Sequence, residues 1–290
     1  MKPPLFDYHD PRGLEEALDL LARHGDDAKV LAGGQSLVPL LNFRLARPDH
    51  IVDLGRVPGL AYIRRRDGVL RIGAMTRQAT LEVSPLVASH WPLLTEALSL
   101  VAHAQIRNRG TVGGSVAHAD PAAELPVAFA ALDASFHVRS QRGTRMIGWR
   151  DFFVTHLTTS MEPDEVLVEI EVPPVPEGAG HGFEEFSRRH GDFALGGAAA
   201  LVTLDQNHIQ AARIALLAAA DTPLRATEAE ASLTGQAPTE EAIAEAARIA
   251  VIGVEPTGDI HGDTEYRHGL IEAMVRRALK QAGERASEVR

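Results

Sequence analysis

The chain contains no cysteine, which excludes disulfides, a thiolate nucleophile and any cysteine-held iron–sulfur cluster within it. If electrons reach this chain from such a cluster, the cluster sits on another polypeptide. Basic residues are in deficit: 29 Lys and Arg against 39 Asp and Glu give a net charge of −10, the wrong sign for a nucleic-acid surface. An anionic cofactor must then be held by local groups rather than by the field of the whole chain. No apolar run approaches the roughly 20 residues of a membrane span. The start at Met1, Lys2, Pro3 and Pro4 lacks the apolar stretch of a signal peptide. The expectation is a soluble, cytoplasmic protein without internal repeats or a low-complexity tail.

What the chain does have is glycine in pairs. Ala32-Gly33-Gly34-Gln35-Ser36 and Thr111-Val112-Gly113-Gly114-Ser115 each follow an apolar stretch and end on a small hydroxyl residue. Successive glycines let a backbone come close to a ligand and turn amide N–H groups towards it, so anionic oxygens are held without Lys or Arg. Two such segments suit the diphosphate of a dinucleotide. Neither fits a Walker A loop or a Rossmann fingerprint, which favours a nucleotide site built from two separate loops. The third pair, Gly196-Gly197, lies inside the apolar run from Phe193 to Leu201 and reads as close packing in a strand.

At 290 residues and 45% hydrophobic content, two or three units with shared cores are expected. Leu14, Ala17, Leu18 and Leu21 share a helical face, with Gly25 as the stop and strands at Val30-Leu31 and Ile51-Val52. Ser36 is expected to cap a helix through Leu41, with Pro39 in its first turn. Leu60–Ile63 and Val69–Ile72 read as strands joined by an Asp67-Gly68 turn. Thr76 is expected to cap one helix and Pro92 to open another. Val127–Leu132 reads as helical, and strands follow near Phe136–Val138, Met146-Ile147 and Leu167–Val172. Pro173–Gly180 is the clearest linker. Two long apolar strands near 193–204 and 209–220, then three helices, predict a sheet covered on one face.

Several of these segments together resemble the FAD-binding medium subunits of the molybdenum hydroxylases, a family that includes carbon-monoxide, xanthine and nicotine dehydrogenases. The segments are AGGQSL, IRNRGTVGGS followed by ADPAAELP, SRRHGDFAL and GDTEYRHGL, in family order across nearly the whole chain. The resemblance implies an α+β fold: two α/β FAD-binding subdomains of the PCMH type, then a C-terminal antiparallel sheet with a helical layer. The expected boundaries are 1–56, 57–176 and 177–290.

It also implies noncovalent FAD, with Ala32, Gly33, Gly34, Gln35 and Ser36 and Thr111, Val112, Gly113, Gly114 and Ser115 on the pyrophosphate. Val30, Leu31 and Leu37 would line the adjoining edge. Glu124 and Asp120 would meet ribityl or ribose hydroxyls, although Asp120 before Pro121 is equally a helix N-cap. Leu167 would pack on the flavin or adenine, against its ordinary role in a sheet core. Phe193, in Arg188–Phe193, would lie by the isoalloxazine as a gate, against a solvated turn or plain sheet packing. Where family members often carry a lysine before the paired arginines, this chain has Glu184 and Glu185, which weakens the case for NAD as acceptor.

Thirteen histidines raise the question of metal, chiefly at His118 with Asp120 and at Asp259, His261 and Asp263. The glycines flanking the second group mark a solvated loop, and no metal or catalytic residue is expected in this chain. The resemblance assigns molybdopterin to a large partner subunit and 2Fe–2S clusters to a small one. Electrons would pass from the clusters through this FAD to an external acceptor. The rivals are a self-sufficient FAD-dependent reductase or oxidase, which would need an acid or base facing the flavin, and a nonredox nucleotide-binding scaffold.

Overall fold

The computed structural model describes residues 2–288; Met1 lies outside them. Three main sheets follow one another along the chain, and a small two-stranded one, Phe153–Thr155 with Thr158–Thr159, is inserted within the second. The first is parallel: strands Asp7–His9 and Ala28–Leu31 flank His50–Asp53. Between the first two strands runs the helix Leu14–His24, whose Ala17, Leu18 and Leu21 are buried against Val52 and Leu54. Gly25 ends it with a positive φ of 50° and an N–H to the Leu21 carbonyl. Ligands of open parallel sheets sit beyond the carboxyl ends of the strands. Here Ala28–Leu31 runs out directly into Ala32-Gly33-Gly34.

The second sheet is antiparallel, in the order Ile63–Arg66, Val69–Gly73, Val166–Val172, Ser135–Ser140, Gly143–Gly148. Asp67 and Gly68 both have positive φ, 54° and 82°, the signature of the type I′ hairpin turn. The helices between Gly73 and Ser135 cover one face, and every residue of Glu124–Ala131 is buried. Two expectations are corrected here. The strand starts at Ile63 rather than Leu60, because Leu60 and Tyr62 offer their carbonyls to the turn at Met75 and Gly73 instead. Thr76 is not a cap: buried, its hydroxyl accepts from the Tyr62 N–H and donates to the Tyr62 carbonyl, and Arg77 takes the capping position.

The third sheet orders Gly180–Phe186, Gly196–Asp205, His208–Leu217 and Leu224–Arg225, all antiparallel. Along Gly196–Asp205 the side chains split between two cores. Ala198, Ala200 and Val202 meet Ile271, Val275 and Ala278 of the long helix Thr264–Glu288, whereas Ala199 and Leu201 join Phe129 and Phe136 of the middle unit. The sheet is therefore buried on both faces, not one, which is why its sequence is continuously apolar rather than alternating. Gly180 and Gly182 let the helix lie directly on the strand: a Cβ there would stand 1.8 and 2.4 Å from the carbonyls of Ala282 and Ala278. The first of the two long strands begins at Gly196 rather than near 193, so Phe193 falls outside it, and the second ends at Leu217 rather than near 220.

Candidate functional site

The first glycine segment forms a turn between strand and helix. Gly34 has φ +74°, and the Gln35 side-chain amide donates to the Gly33 carbonyl at 3.0 Å. Ser36 is not a helix cap: its own backbone is already helical and its hydroxyl accepts no cap bond. The consequence is chemical. The amides of Gly33, Gly34, Gln35 and Ser36 have no hydrogen-bond partner among the described residues, and unpaired amides in a turn of this kind form an anion-binding concavity.

The second segment is not a loop but the first turn of the helix Val112–His118. Thr111 caps it, its Oγ1 accepting from the Gly114 N–H at 3.1 Å. Val112 donates to the Thr76 carbonyl, Gly113 to Ala74 and Ser115 to Thr111, so all four amides are taken. The glycines serve packing: a Cβ on Gly113 would lie 2.5 Å from that of Ala74, and one on Gly33 2.5 Å from the Arg109 carbonyl. Gly33 is thus the point where the two segments touch.

Together they wall a cleft of about 720 Å³, within the usual ~300–1,000 Å³ of a ligand pocket. All but two of the expected site residues line it: Val30, Ala32 to Leu37, Thr111, Gly113 to Ser115, Asp120, Glu124, Leu167 and Phe193. The exceptions are Leu31, whose side chain packs under Gly34, and Val112, fully buried in the middle core. Among the described residues Lys29 is the only lysine or arginine on its wall, against four carboxylates, those of Asp120, Glu124, Glu165 and Asp192. For an anion, the wall thus offers the open amides and one cation, Lys29.

Asp120 is no N-cap. Its carboxylate accepts from the Ala122 N–H at 2.9 Å, an Asx turn, and the next helix begins at Glu124 behind Ala123. Glu124 is buried, and burial, helped by the charge of Asp120, pushes its carboxyl up to about 7. Glu185 lies near enough to feel it: burial first, then Glu124, pushes its carboxyl up to about 8. Leu167 is buried in the sheet while also lining the cleft. Phe193 is 73% exposed at the mouth, which removes the reading of it as sheet packing.

Two residues were missed by sequence reasoning. Gln78 borders the cleft and is buried, its Oε1 enclosed against Gly110 and without a hydrogen-bond partner. His103 lines the cleft against Gly191, whose φ of +87° and missing Cβ make room for the ring. Nothing in their local sequence marks either one, since both reach the cleft through tertiary packing.

Fold and cleft define a ligand cleft walled by two glycine segments on an α/β unit, backed by an antiparallel sheet and a helical layer. Residues 4–175 match the model of the FAD binding domain in molybdopterin dehydrogenase, and residues 181–282 that of the CO dehydrogenase flavoprotein C-terminal domain. The chain belongs to this family of FAD-binding medium subunits of molybdenum hydroxylases. It is 51% identical over 287 residues to the 6-hydroxypseudooxynicotine dehydrogenase complex subunit alpha of Paenarthrobacter nicotinovorans, covering 99% of this chain and 97% of that one. To the carbon monoxide dehydrogenase medium chain of Hydrogenophaga pseudoflava it is 40% identical, covering 99% and 100%. Among solved structures, carbon monoxide dehydrogenase from Hydrogenophaga pseudoflava superposes with a TM-score of 0.96 at 42% identity, covering 98% of this chain and 99% of that one. Quinoline 2-oxidoreductase from Pseudomonas putida 86 does so with 0.94 at 41%, covering 99% of each.

Proposed function

We propose that this chain is the FAD-binding electron-transfer subunit of a cytoplasmic molybdenum hydroxylase. It would dock on a molybdopterin-binding large subunit and an iron–sulfur small subunit, take electrons from the latter's 2Fe–2S clusters and pass them to an external acceptor. The observation that carries the reading is the row of four unpaired amides, Gly33 to Ser36, in a cleft whose wall is otherwise acidic. Bound FAD supplies the redox chemistry, accepting and releasing electrons at its ring.

The chain's own residues bind and orient. The open amides hold the diphosphate; the second segment supplies the floor on which it rests and the Ser115 hydroxyl. Glu124 accepts from hydroxyls along the ligand, which relieves a buried polar group. Leu167 gives the ring an apolar seat, and Phe193 screens its outer face at the mouth. The boundaries 1–56 and 57–176 divide the two halves that enclose the cofactor, and 177–290 forms the backing sheet.

Absence of cysteine supports the division of labour, since no cluster is held here. The test is the purified full chain after desalting. It should carry a flavin spectrum, bleach on chemical reduction and stay oxidised with hydroxylase substrates alone. Substrate-driven bleaching would move the assignment to a self-sufficient oxidase, and a colourless chain that takes up no FAD would leave only a scaffold.

A further inference from the structure

A cluster of three imidazoles stands apart from the cleft, on the N-terminal sheet. His9 ends the first strand, His24 ends the helix Leu14–His24, and His50 begins the central strand. His9 Nε2 and His50 Nδ1 are 3.1 Å apart, and the His24 and His50 ring centroids are separated by 3.7 Å. One ring nitrogen from each residue falls within 4.8 Å of the others, and all three residues are half-buried. A Zn–N bond of about 2.0–2.1 Å in a tetrahedral site spaces ligand atoms about 3.4 Å apart, so small side-chain adjustments bring the three into register.

The chemistry of the cluster fits a cation and fits its absence poorly. A single hydrogen bond joins His9 and His50, while the His24 ring has no hydrogen bond among the described residues. The negative end of the helix dipole, at His24, favours positive charge there. The Asp7 carboxylate stands 3.8 Å from His50 Nδ1, so one anion is already at hand. The other cluster of this kind, His137 with Glu169 and Glu171, differs: Arg71 lies 2.7 Å from each carboxylate and supplies their counter-charge.

We propose that His9, His24 and His50 form a site for a borderline divalent cation of the zinc class, with water at an open position. The ion would tie together three segments distant in sequence, in the unit with the smallest of the three cores. A small unit short of core gains most from such a staple. That unit also carries the open amides, beyond the carboxyl end of Ala28–Leu31, whereas His50 lies level with Ala28 at the other end. The site itself does not depend on the flavin assignment.

The experiment uses the full chain, stripped with chelator and titrated with Zn²⁺ against a chromophoric competitor. One Zn²⁺ per chain is expected. His24→Ala and His50→Ala should each weaken it by at least about 100-fold, since loss of even an outer-shell partner weakens metal affinity some 10–100-fold. His208→Ala, at the exposed start of the strand His208–Leu217, should leave it unchanged. Zn²⁺ should raise the melting temperature of the native chain and not of His24→Ala, and Co²⁺ should give the ligand-field bands of a low-coordinate site. Native and His24→Ala chains binding Zn²⁺ equally, or a native chain that takes up none at micromolar metal, would overturn the site.

Discussion

The two glycine segments are near twins in sequence and opposites in structure. Gly33 to Ser36 turns without completing a helix and leaves four amides open; Val112 to Ser115 enters its helix at once and consumes all of its own. The difference lies in one residue on each side. Thr111, extended, caps its helix with its hydroxyl, while Ser36, already helical, does not. A glycine pair followed by a hydroxyl is thus not one motif: the first segment leaves its backbone unsatisfied, and the second, fully satisfied, packs against it.

The largest effect expected from breaking this pair is at their contact. Gly33→Val pushes a side chain into the Arg109 and Gly110 backbone, so it should destabilise the chain by about 1–3 kcal/mol, the usual cost of overpacking. FAD retention should fall with it, measured by absorbance after desalting beside thermal unfolding. A fully folded variant that has lost FAD would mean that Gly33 serves the ligand alone.

Next comes the acidic end of the cleft. Glu124 and Glu185 are raised in the folded chain to about 7 and about 8 from an ordinary 4.5. The folded state therefore binds more protons than the unfolded one in that window, and stability should fall as pH rises from about 4.5 to 8. In the FAD-free chain, Glu124→Gln with Glu185→Gln should flatten this fall in denaturant titrations across the window. An unchanged slope would show that neither acid is strained.

The caps sharpen the comparison on a finer scale. Thr111→Val removes a true cap and should cost about 0.5–2 kcal/mol. Ser36→Ala removes none and should stay within roughly 0.5 kcal/mol. Equal losses in chemical denaturation would erase the distinction drawn between the two segments. The smallest stability change belongs to Phe193→Ala: at 73% exposure it should also stay within about 0.5 kcal/mol. Its signature should be kinetic, a changed rate of reoxidation of the reduced flavin in stopped flow. Unchanged rates would remove it from the site.

Much of the cleft's wall was legible because its residues lie in short contiguous segments: Ala32 to Ser36, Thr111 to Ser115 and Asp120 to Glu124 supply a large part of it. The fold was legible where hydrophobic period and turn chemistry agree, as at Leu14 to Leu21 and at Asp67-Gly68. Hydrogen-bond satisfaction was not. Ser36, Thr76 and Asp120 each look like caps, yet a hydroxyl or carboxylate caps only where its own backbone is extended and a helix follows immediately. The run from Ala194 to Leu201 said that the strand was buried but not that two different cores meet on it. Gln78, His103 and the trio His9, His24 and His50 are joined only by tertiary packing, which no local pattern records.

The central claim is that the first segment holds the diphosphate through open amides and the second does not. Amide hydrogen exchange, resolved at Gly33 to Ser36 and at Val112 to Ser115 with and without FAD, tests it directly. The account predicts fast exchange at Gly33 to Ser36 in the FAD-free chain and strong protection once FAD binds. Val112 to Ser115 should be protected in both states. Free exchange at Gly33 to Ser36 in the FAD-loaded chain, or new protection confined to Val112 to Ser115, would contradict it.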